Sequence, residues 1–297
     1  MSNKFRFGVV AAAARSGSDW IEKARRVEGL GFSTLVTPDG MQRTLSPFGA
    51  LAAAAAATTT LRVGTYVIAN DLRHPAMLAK EAGTLDFLSG GRFELGIGAG
   101  RPNSDADNAM LGLAFDGGGV RVRRLKEALS ILKPLLAGET VSQSGKFYRT
   151  TDASTQPGPV QKPLPLMIAA SQRQLLALAG KEADIVALGL GPDASAEQVS
   201  ERIGWLREAA GARFDELELN INLMAVAGQT PHFLQMTMGE GAARLAASDA
   251  IPVLKGSVDQ MCERLEEVRE RFGLSYFMVA DEMVDALAPV VGGMAGR

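Results

Sequence analysis

Two patterns of apolar positions alternate along the chain. Short stretches are apolar at nearly every residue, which is typical of buried strands. Longer stretches are apolar at every third or fourth residue, which is typical of helices that rest one face on a core. The first pattern predicts eight strands, at residues 5–10, 34–37, 61–70, 92–98, 166–170, 184–188, 217–227 and 275–280. A predicted helix follows each of these strands along the chain.

This alternation predicts the class of fold. Continuously apolar strands that alternate with helices are typical of parallel strands covered by helices. Eight strand–helix units favour a TIM (β/α)8 barrel, whose active site lies at the carboxyl ends of its strands. No break in composition divides the 297 residues, so we expect a single domain over 1–297. Residues 101–119 predict a loop, and residues 138–148 predict a small hairpin with its turn at Gly145-Lys146.

The segment at residues 73–100 predicts a helix, a hard turn and a strand in succession. Ser89-Gly90-Gly91 ends the helix, because glycine readily takes the left-handed conformation of a helix C-terminus. The strand then leads to Gly96-x-Gly98-x-Gly100, whose bare backbone would let a flat or phosphorylated ligand approach. Arg92, just before the strand, is expected to pair with Asp86 rather than to touch a substrate.

Glycines that follow a strand also occur in Rossmann dinucleotide sites, where a helix opens at the glycines. Residues 101–105, Arg-Pro-Asn-Ser-Asp, interrupt any immediate helix here, so the pattern disfavours that fold. The alternative to a ligand site at residues 96–100 is a glycine-rich strand exit that binds no ligand.

Polar residues also follow the second and third predicted strands. Asp39 could accept a hydrogen bond from a ligand, or it could simply cap a turn. Asn70 and Asp71 end the third strand and offer polar groups beside the backbone. We interpret His74, just before Pro75, as a helix-capping residue.

A phosphate site is predicted where the fifth strand meets a helix expected at 171–181. Ser171, Gln172 and Arg173 there combine backbone N–H groups, a hydroxyl and a guanidinium group. The alternative interpretation is that Arg173 is a solvated surface charge.

Composition narrows the classes of partner and cofactor. The net charge of −2, from 31 basic and 33 acidic residues, gives no overall field for nucleic acid or an anionic membrane. Cys262 is the single cysteine and His74 and His232 are the two histidines, so we expect no disulfide and no metal centre. We find neither a signal peptide nor a membrane-spanning stretch, which predicts a cytoplasmic protein.

At residues 73–100 the sequence resembles the bacterial-luciferase-like monooxygenase superfamily. The shared motif is His74-Pro75, followed by Thr-Leu-Asp-x-Leu-Ser-Gly-Gly-Arg at 84–92 and the glycine-rich strand end at 96–100. The residues Asn-Asp-Leu-Arg-His-Pro at 70–75 most resemble the branch of coenzyme F420-dependent oxidoreductases. The resemblance implies a TIM barrel with insertions and a deazaflavin or flavin at its carboxyl face.

In relatives the cofactor ring rests on a bulge at the end of the third strand, often with a non-prolyl cis peptide. The resemblance therefore places the ring on residues 68–70, with 99–101 along its other side and the phosphate-bearing tail at 170–173. The cofactor-binding residues that we expect are Asp39, Ile68, Ala69, Asn70, Asp71, Ala99, Gly100, Arg101, Ala170, Ser171, Gln172 and Arg173. Asp39 is the candidate catalytic residue.

Two departures from the family pattern bear on whether the protein catalyses a reaction. Many deazaflavin-dependent relatives carry a histidine directly after the acidic residue on strand two, where this chain has Gly40. Many relatives have a glutamate near the strand-four exit, where this chain has Arg101-Pro102. The resemblance therefore supports binding of the cofactor better than catalysis.

The leading hypothesis is an enzyme that moves a hydride between coenzyme F420 and a small organic substrate. The alternatives are an FMN-dependent monooxygenase and a non-catalytic protein that binds F420 or flavin. Relatives commonly dimerise through their second and third helices, and the predicted helix at 47–58 is rich in alanine, so we expect a homodimer. The alternative is that these alanines pack the helix tightly on its own barrel.

Overall fold

The computed structural model describes residues 3–100 and 105–297. Within these ranges the strands are β1 Arg6–Val10, β2 Thr34–Thr37, β3 Arg62–Thr65, β4 Ile68–Ala69, β5 Phe93–Gly98, β6 Val141–Ser144, β7 Arg149–Ala153, β8 Leu166–Ala170, β9 Ile185–Leu188, β10 Glu218–Asn222, β11 Ala225–Val226, β12 Val253–Leu254 and β13 Leu274–Ala280. The α-helices are α1 Gly17–Gly29, α2 Pro47–Ala57, α3 Pro75–Leu88, α4 Asp105–Met110, α5 Gly118–Leu136, α6 Arg173–Glu182, α7 Ala196–Ala210, α8 His232–Met238, α9 Gly241–Ala247, α10 Val258–Phe272 and α11 Val284–Met294. Short 3-10 helices lie at Asn70–Leu72, Gly211–Glu216 and Asp281–Met283.

The fold class is a TIM (β/α)8 barrel, as the sequence predicts. Hydrogen bonds join the strands in the order β3, β2, β1, β13, β10, β9, β8, β5 and β4, and β3 also pairs with β5. The pairs β1–β13, β9–β10 and β5–β8 are parallel. Because β3 and β4 are two parts of the third predicted strand, the order contains eight strand positions that alternate with helices along the chain.

The chain divides into two compact units, each built from separate stretches. The first unit contains the residues up to Ala11 together with Arg25–Leu35 and Ala170–Arg297, and the second contains Ala12–Ala24 and Val36–Ala169. The expectation of a single domain over residues 1–297 stays a prediction.

Aromatic side chains fill the core of the first unit. The rings of Phe5, Phe7 and Phe277 lie 6.1–6.3 Å apart, and each side chain is at most 1% exposed. Phe7 lies opposite Phe277 in the parallel pairing of β1 with β13. Burial of one such side chain contributes about 1.5–3 kcal/mol to the free energy of unfolding, so this cluster anchors the two strands to each other.

Two helices of the first unit begin with capping boxes. Ser195 accepts a hydrogen bond from the N–H of Gln198 and is the N-cap of α7, a position at which serine is strongly preferred. Ser257 accepts one from Gln260 at the start of α10. In both boxes the glutamine Oε1 atom accepts a hydrogen bond from the N–H of the N-cap serine, so donors that a helix start otherwise leaves unpaired are satisfied.

In the second unit, Asp86 and Arg92 of the motif at 84–92 form hydrogen bonds to neighbouring backbone groups. The expected pairing of Arg92 with Asp86 is therefore wrong. Arg92 donates to the carbonyl oxygens of Leu61 at 2.7 Å and Ala55 at 2.8 Å. Asp86 is fully buried and accepts from the N–H groups of Val160 at 2.7 Å and Gln161 at 2.9 Å. A carbonyl at the end of α2 and one beyond it thus bind the guanidinium group, while backbone donors satisfy the carboxylate.

Three other predicted elements differ from the structure. The seventh predicted strand ends at β10, because β11 pairs with β12 instead of continuing it. The predicted loop at 101–119 contains α4, whose Asp105 and Asp107 lie in a first turn, where acidic residues are favoured. The hairpin extends past its predicted end at 148, since its second strand is β7.

Glu127 of α5 holds the turn of this hairpin. Its carboxylate accepts hydrogen bonds from the N–H groups of Lys146 at 3.1 Å, Phe147 at 2.8 Å and Tyr148 at 2.7 Å. A Cβ atom at Gly145 would lie 2.0 Å from Glu127 Oε1, so a side chain there would displace this carboxylate. None of the helices in the described part of the chain is both long enough and apolar enough to cross a membrane.

Replacement of Gly96 in β5 tests how tightly the second unit packs. A Cβ atom there would lie 2.1 Å from the carbonyl oxygen of Thr65, which cannot rotate away. We expect Gly96→Ala to lower the free energy of unfolding by about 1–3 kcal/mol or more, measured by urea denaturation. The control is Gly204→Ala in α7, where no atom lies within 4 Å of the added methyl group. It should raise stability by about 0.5–1 kcal/mol. Equal midpoints for the two variants would contradict this packing.

Candidate functional site

Asp39 lies two residues after β2, and its buried carboxylate joins the third strand to the start of α3. Its Oδ2 atom accepts a hydrogen bond from the N–H of Ala69 at 3.1 Å and another from Arg73 Nη1 at 2.5 Å. The Asp39 side chain is 3% exposed and that of Arg73 is 21% exposed. A single oxygen atom thus joins the backbone of residue 69 to the side chain of Arg73.

Glu81 of α3 is the second acidic neighbour of Arg73. One of its oxygens lies 3.6 Å from Arg73 Nε. Burial raises the pKa of Glu81, and Arg73 opposes that shift. Arg73 thus lies between a close carboxylate, Asp39, and a more distant carboxyl group.

The third strand is broken between β3 and β4, where the Tyr66–Val67 peptide is cis. This matches the bulge that the family resemblance implies. Thr65 Oγ1 accepts a hydrogen bond from the N–H of Gly96 at 2.8 Å and donates to its carbonyl at 2.7 Å. Cβ atoms at Gly96 and Gly98 would lie 2.9 Å and 3.0 Å from methyl groups of Val67.

These contacts correct the role that the sequence suggests for the glycines. Gly96 and Gly98 leave room for Thr65 and Val67 of the same chain, so the space at these two positions is not available to a ligand. Gly100 differs, since it follows the strand and has a positive φ of 81°. Ala99 is 6% exposed, and Arg101 lies outside the described residues.

The residues that follow the break, Ile68, Ala69 and Asn70, present different groups. Ile68 is fully buried, whereas Ala69 is half-buried. Asn70 begins a 3-10 helix, and its side-chain amide donates to the hydroxyl of Tyr148 at 3.1 Å. Burial raises the pKa of Tyr148, so this phenol stays neutral around neutral pH. The surface offered by the bulge is therefore backbone and one methyl group, which suits a flat ring.

Asp71 interacts with α5. Its Oδ1 atom accepts a hydrogen bond from Arg124 Nη1 at 2.8 Å, and Arg124 also binds Asp116. Burial disfavours the charge on Arg124, but its hydrogen bonds to the two carboxylates raise its pKa. His74 caps α3 by accepting the N–H of Ala76 at Nδ1, as the sequence predicts.

Asp107 of α4 is a nearby residue that the sequence analysis missed. Its Oδ1 atom accepts a hydrogen bond from the N–H of Met41 at 3.2 Å. A Cβ atom at Gly40 would lie 3.3 Å from Asp107 Oδ2. A carboxylate therefore faces the position where the resemblance leads one to expect a histidine. In the sequence, the acidic residues at the start of α4 are the signal that could have indicated Asp107.

The predicted phosphate site lies in the first unit, at the end of β8. The helix begins at Arg173 rather than at Ser171, and Gln172 is its N-cap residue. The carbonyl of Ala170 accepts the N–H of Gly189 at 2.8 Å, and the carbonyl of Ser171 accepts Arg202 Nε at 3.1 Å.

Two arginines lie near this strand exit, and they have different partners. Arg173 Nη2 lies 2.9 Å from Glu208, and both side chains are about two-thirds exposed. This favours the solvated interpretation of Arg173. Arg202 approaches the strand exit from α7, and no local pattern marks it, because 31 residues separate it from Ser171.

Of the predicted site residues of the second unit, the structure joins one pair by a hydrogen bond, and two others bond to residues that the sequence did not indicate. Asp39 bonds to Ala69, and the adjacent Asn70 and Asp71 bond to Tyr148 and Arg124. Residues 170–173 form a separate group within the first unit. Among the residues that the structure describes, no group of three or more His, Cys, Asp or Glu side chains could hold a metal ion.

The fold and the interrupted third strand define a class of TIM-barrel protein, and comparison gives its family. A sequence model of the luciferase-like monooxygenase family matches residues 4–236, so the chain belongs to that family. This confirms the resemblance stated from the sequence.

Three known proteins illustrate the likeness. The F420-dependent glucose-6-phosphate dehydrogenase of Beutenbergia cavernae is 33% identical over 208 residues, which cover 68% of this chain and 60% of that protein. The structure of the coenzyme F420-dependent tetrahydromethanopterin reductase from Methanopyrus kandleri superposes with a TM-score of 0.80 at 19% identity, over 98% of this chain and 100% of that one. An F420-dependent secondary alcohol dehydrogenase in complex with an F420–acetone adduct gives 0.81 at 18% identity, over 98% and 99% of the two chains. At these identities the two structures support the fold class alone.

Proposed function

We propose that this protein is an F420-dependent oxidoreductase that transfers a hydride between the deazaflavin and a small organic substrate. The observation that carries the proposal is the bulge at the end of the third strand, which Asp39 holds through the N–H of Ala69. Support also comes from the family and from relatives that are themselves named F420-dependent. The chain matches only 60% of the length of its dehydrogenase relative, so the identity of the substrate is not carried over.

The described residues fit a deazaflavin in shape. The half-buried methyl group of Ala69 and the backbone of residues 68–70 would lie under the ring, and Gly100 would keep side-chain atoms away from its edge. Asp39 and Arg73 would fix the bulge and thereby the height of the ring. When bound, the deazaflavin supplies the hydride chemistry, and the protein supplies binding and orientation.

The proposed phosphate-binding residues belong to the first unit. The backbone N–H groups at the start of α6 are suited to an anion, because they have no partner within the helix. Ser171 adds a hydroxyl group, and Arg173 would exchange its exposed carboxylate partner, Glu208, for the phosphate.

Proton transfer in this active site would fall to a carboxyl group. Gly40 offers no side chain where the resemblance leads one to expect a histidine, while Asp107 Oδ2 lies close to that position. We therefore propose Asp107 as the acid–base candidate and Asp39 as a positioning residue. Binding of the cofactor without turnover is the second candidate function, and the missing histidine at Gly40 is the observation that favours it.

We also propose a homodimer through α2 and α3. The alanine-rich helix α2 buries Ala50, Ala54 and Ala55 within its own unit, which supports the packing interpretation for these three residues. Ala53 and Ala56 are exposed. On α3, Met77, Phe87 and Leu88 are between 55% and 64% exposed, so apolar surface is left for a partner.

Titration with F420 and with FMN tests the choice of cofactor. Quenching of the intrinsic protein fluorescence measures the binding of each. We expect tighter binding of F420, and we expect Arg173→Ala to weaken it by about 1.5–3 kcal/mol, the range for hydrogen bonds to charged groups. Arg207→Ala, another exposed arginine of the same unit, is the control and should leave the affinity unchanged.

Equal or tighter binding of FMN would overturn the F420 assignment and favour the FMN-dependent monooxygenase. Unchanged affinity in the Arg173 variant would remove Arg173 from the phosphate site. A protein that binds F420 but never reduces or oxidises it with candidate alcohols under anaerobic conditions would support the non-catalytic alternative.

The dimer is tested by light scattering of Ala53→Arg. A charged side chain on this face should yield a monomer, because its burial in an interface would remove the charge from water without a partner. Ala137→Arg, at an exposed alanine that ends α5, is the matched control and should stay dimeric. A wild-type protein that is monomeric at micromolar concentration would contradict the proposed homodimer. A folded Ala53→Arg variant that remains a dimer would contradict it as well.

A further inference from the structure

Arg121 of α5 is a buried arginine whose guanidinium group lacks a hydrogen-bond acceptor. The residue is 9% exposed, and its Nε and Nη1 atoms are buried without a hydrogen-bond partner among the described residues. The guanidinium carbon lies 4.1 Å from the centre of the Phe115 ring, which is a cation–π contact. Such a contact replaces a part of the hydration that a buried charge loses, so the guanidinium group still lacks a counter-charge.

The carboxylates near this end of α5 do not supply that counter-charge. Asp71 and Asp116 both bind Arg124 instead. The first turn of α5 contains no acidic residue, although acidic residues are favoured at a helix start. Within the described ranges, the start of α5 therefore combines a helix N-terminus with a buried arginine that has no ion-pair partner.

Backbone donors are also free at the start of α5. The N-cap residue Gly117 has no side chain that could accept from the first turn. The N–H groups of Gly118 and Gly119 begin the helix and have no partner within it. Gly117 and Gly118 are exposed, so an ion from solution can reach these groups. The dipole of this 19-residue helix adds a positive partial charge at the same place.

The third nitrogen of the guanidinium group borders the space in front of these donors. A Cβ atom at Gly118 would lie 4.0 Å from Arg121 Nη2, and no other side-chain atom of the described residues lies within that distance. A Cβ atom at Gly117 would meet no described atom within 4 Å. Because Nε and Nη1 are buried, Nη2 is the nitrogen that a ligand at this helix start would contact.

We propose that the start of α5 binds a tetrahedral oxyanion, either inorganic phosphate or the phosphate group of a small monoester. The N–H groups of Gly118 and Gly119 and the Nη2 atom of Arg121 donate to it. Three separate donors suit an anion with three or more acceptor oxygens better than a carboxylate, which has two. This site goes beyond the proposed oxidoreductase function, and its residues differ from those at 170–173 that are proposed for the cofactor phosphate.

Phosphorus NMR titration of the full chain, at constant ionic strength and without F420, measures this binding. We expect saturable binding of inorganic phosphate and of phenyl phosphate, and the tighter of the two identifies the source of the anion. Acetate should compete at least about tenfold more weakly, because it leaves one donor unused. No saturable binding of either phosphate compound, or equal competition by acetate, would overturn the proposal.

Two substitutions each remove one proposed donor. Arg121→Met should weaken phosphate binding by about tenfold or more. It should not lower the urea midpoint in phosphate-free buffer, because it replaces a buried charge that has no partner with an apolar side chain. Gly118→Pro removes an N–H at the first helical position, where proline is favoured, and should weaken binding about tenfold with the helix intact.

The control is Arg123→Met, at an exposed arginine of the same helix, which should stay within about threefold of wild type. Wild-type phosphate affinity in both Arg121→Met and Gly118→Pro would contradict the proposed site. Equal weakening in Arg123→Met and Arg121→Met would contradict it too, because a general effect of charge would then explain the binding.

Arg173→Ala separates this site from the one proposed for the cofactor phosphate. Phosphate affinity should be unchanged in Arg173→Ala, and F420 affinity should be unchanged in Arg121→Met, because the two sites use different residues. Phosphate binding that is lost in Arg173→Ala but kept in Arg121→Met would place the anion at residues 170–173 and overturn the proposal.

Discussion

The buried carboxylate of Asp39 is the constraint on which the proposed cofactor surface depends. One oxygen atom accepts both the N–H of Ala69 and the guanidinium group of Arg73. Such a pair contributes little net stability, because removing both charges from water costs about as much as their attraction returns. Removing one partner is much more costly, since the other is left buried and unpaired. The pair therefore fixes geometry: it places the end of the third strand relative to the start of α3.

The other side of the bulge is fixed by packing. Thr65 exchanges two hydrogen bonds with Gly96, and Val67 occupies the space that side chains at Gly96 and Gly98 would fill. The bulge is thus held between a carboxylate on one side and a side-chain-free strand on the other. A ligand that rests on residues 68–70 meets a surface with little freedom to move, which lowers the entropic cost of binding.

The sequence predicts those parts of the molecule that depend on local patterns. Continuous apolar stretches locate the barrel strands, and His74 just before Pro75 indicates the N-cap of α3. The interruption of the third strand is invisible in the same pattern, because β3, the cis peptide and β4 together form one β-branched stretch. The three glycines at the strand exit suggest room for a ligand to approach, whereas two of them accommodate the chain itself.

Contacts between distant residues mark the limit of that prediction. Arg202 reaches Ser171 and Asp107 reaches the backbone beside Gly40 only because the fold brings their helices there. The pairing of Arg92 with Asp86 was wrong for the same reason, since carbonyl groups of α2 and backbone donors at 160–161 satisfy both side chains. Charge and spacing along the chain do not reveal which partner lies nearest in space.

The central claim is that Asp39 positions the bulge and does not take part in the chemistry. Its most direct test is Asp39→Asn, with unfolding by urea and F420 affinity measured on the same protein. The account predicts a loss of about 3–5 kcal/mol in the free energy of unfolding, because Arg73 loses its close carboxylate and keeps only Glu81 at 3.6 Å, together with weakened binding of F420. Wild-type stability and wild-type F420 affinity, combined with loss of hydride transfer, would contradict the account and make Asp39 a catalytic residue.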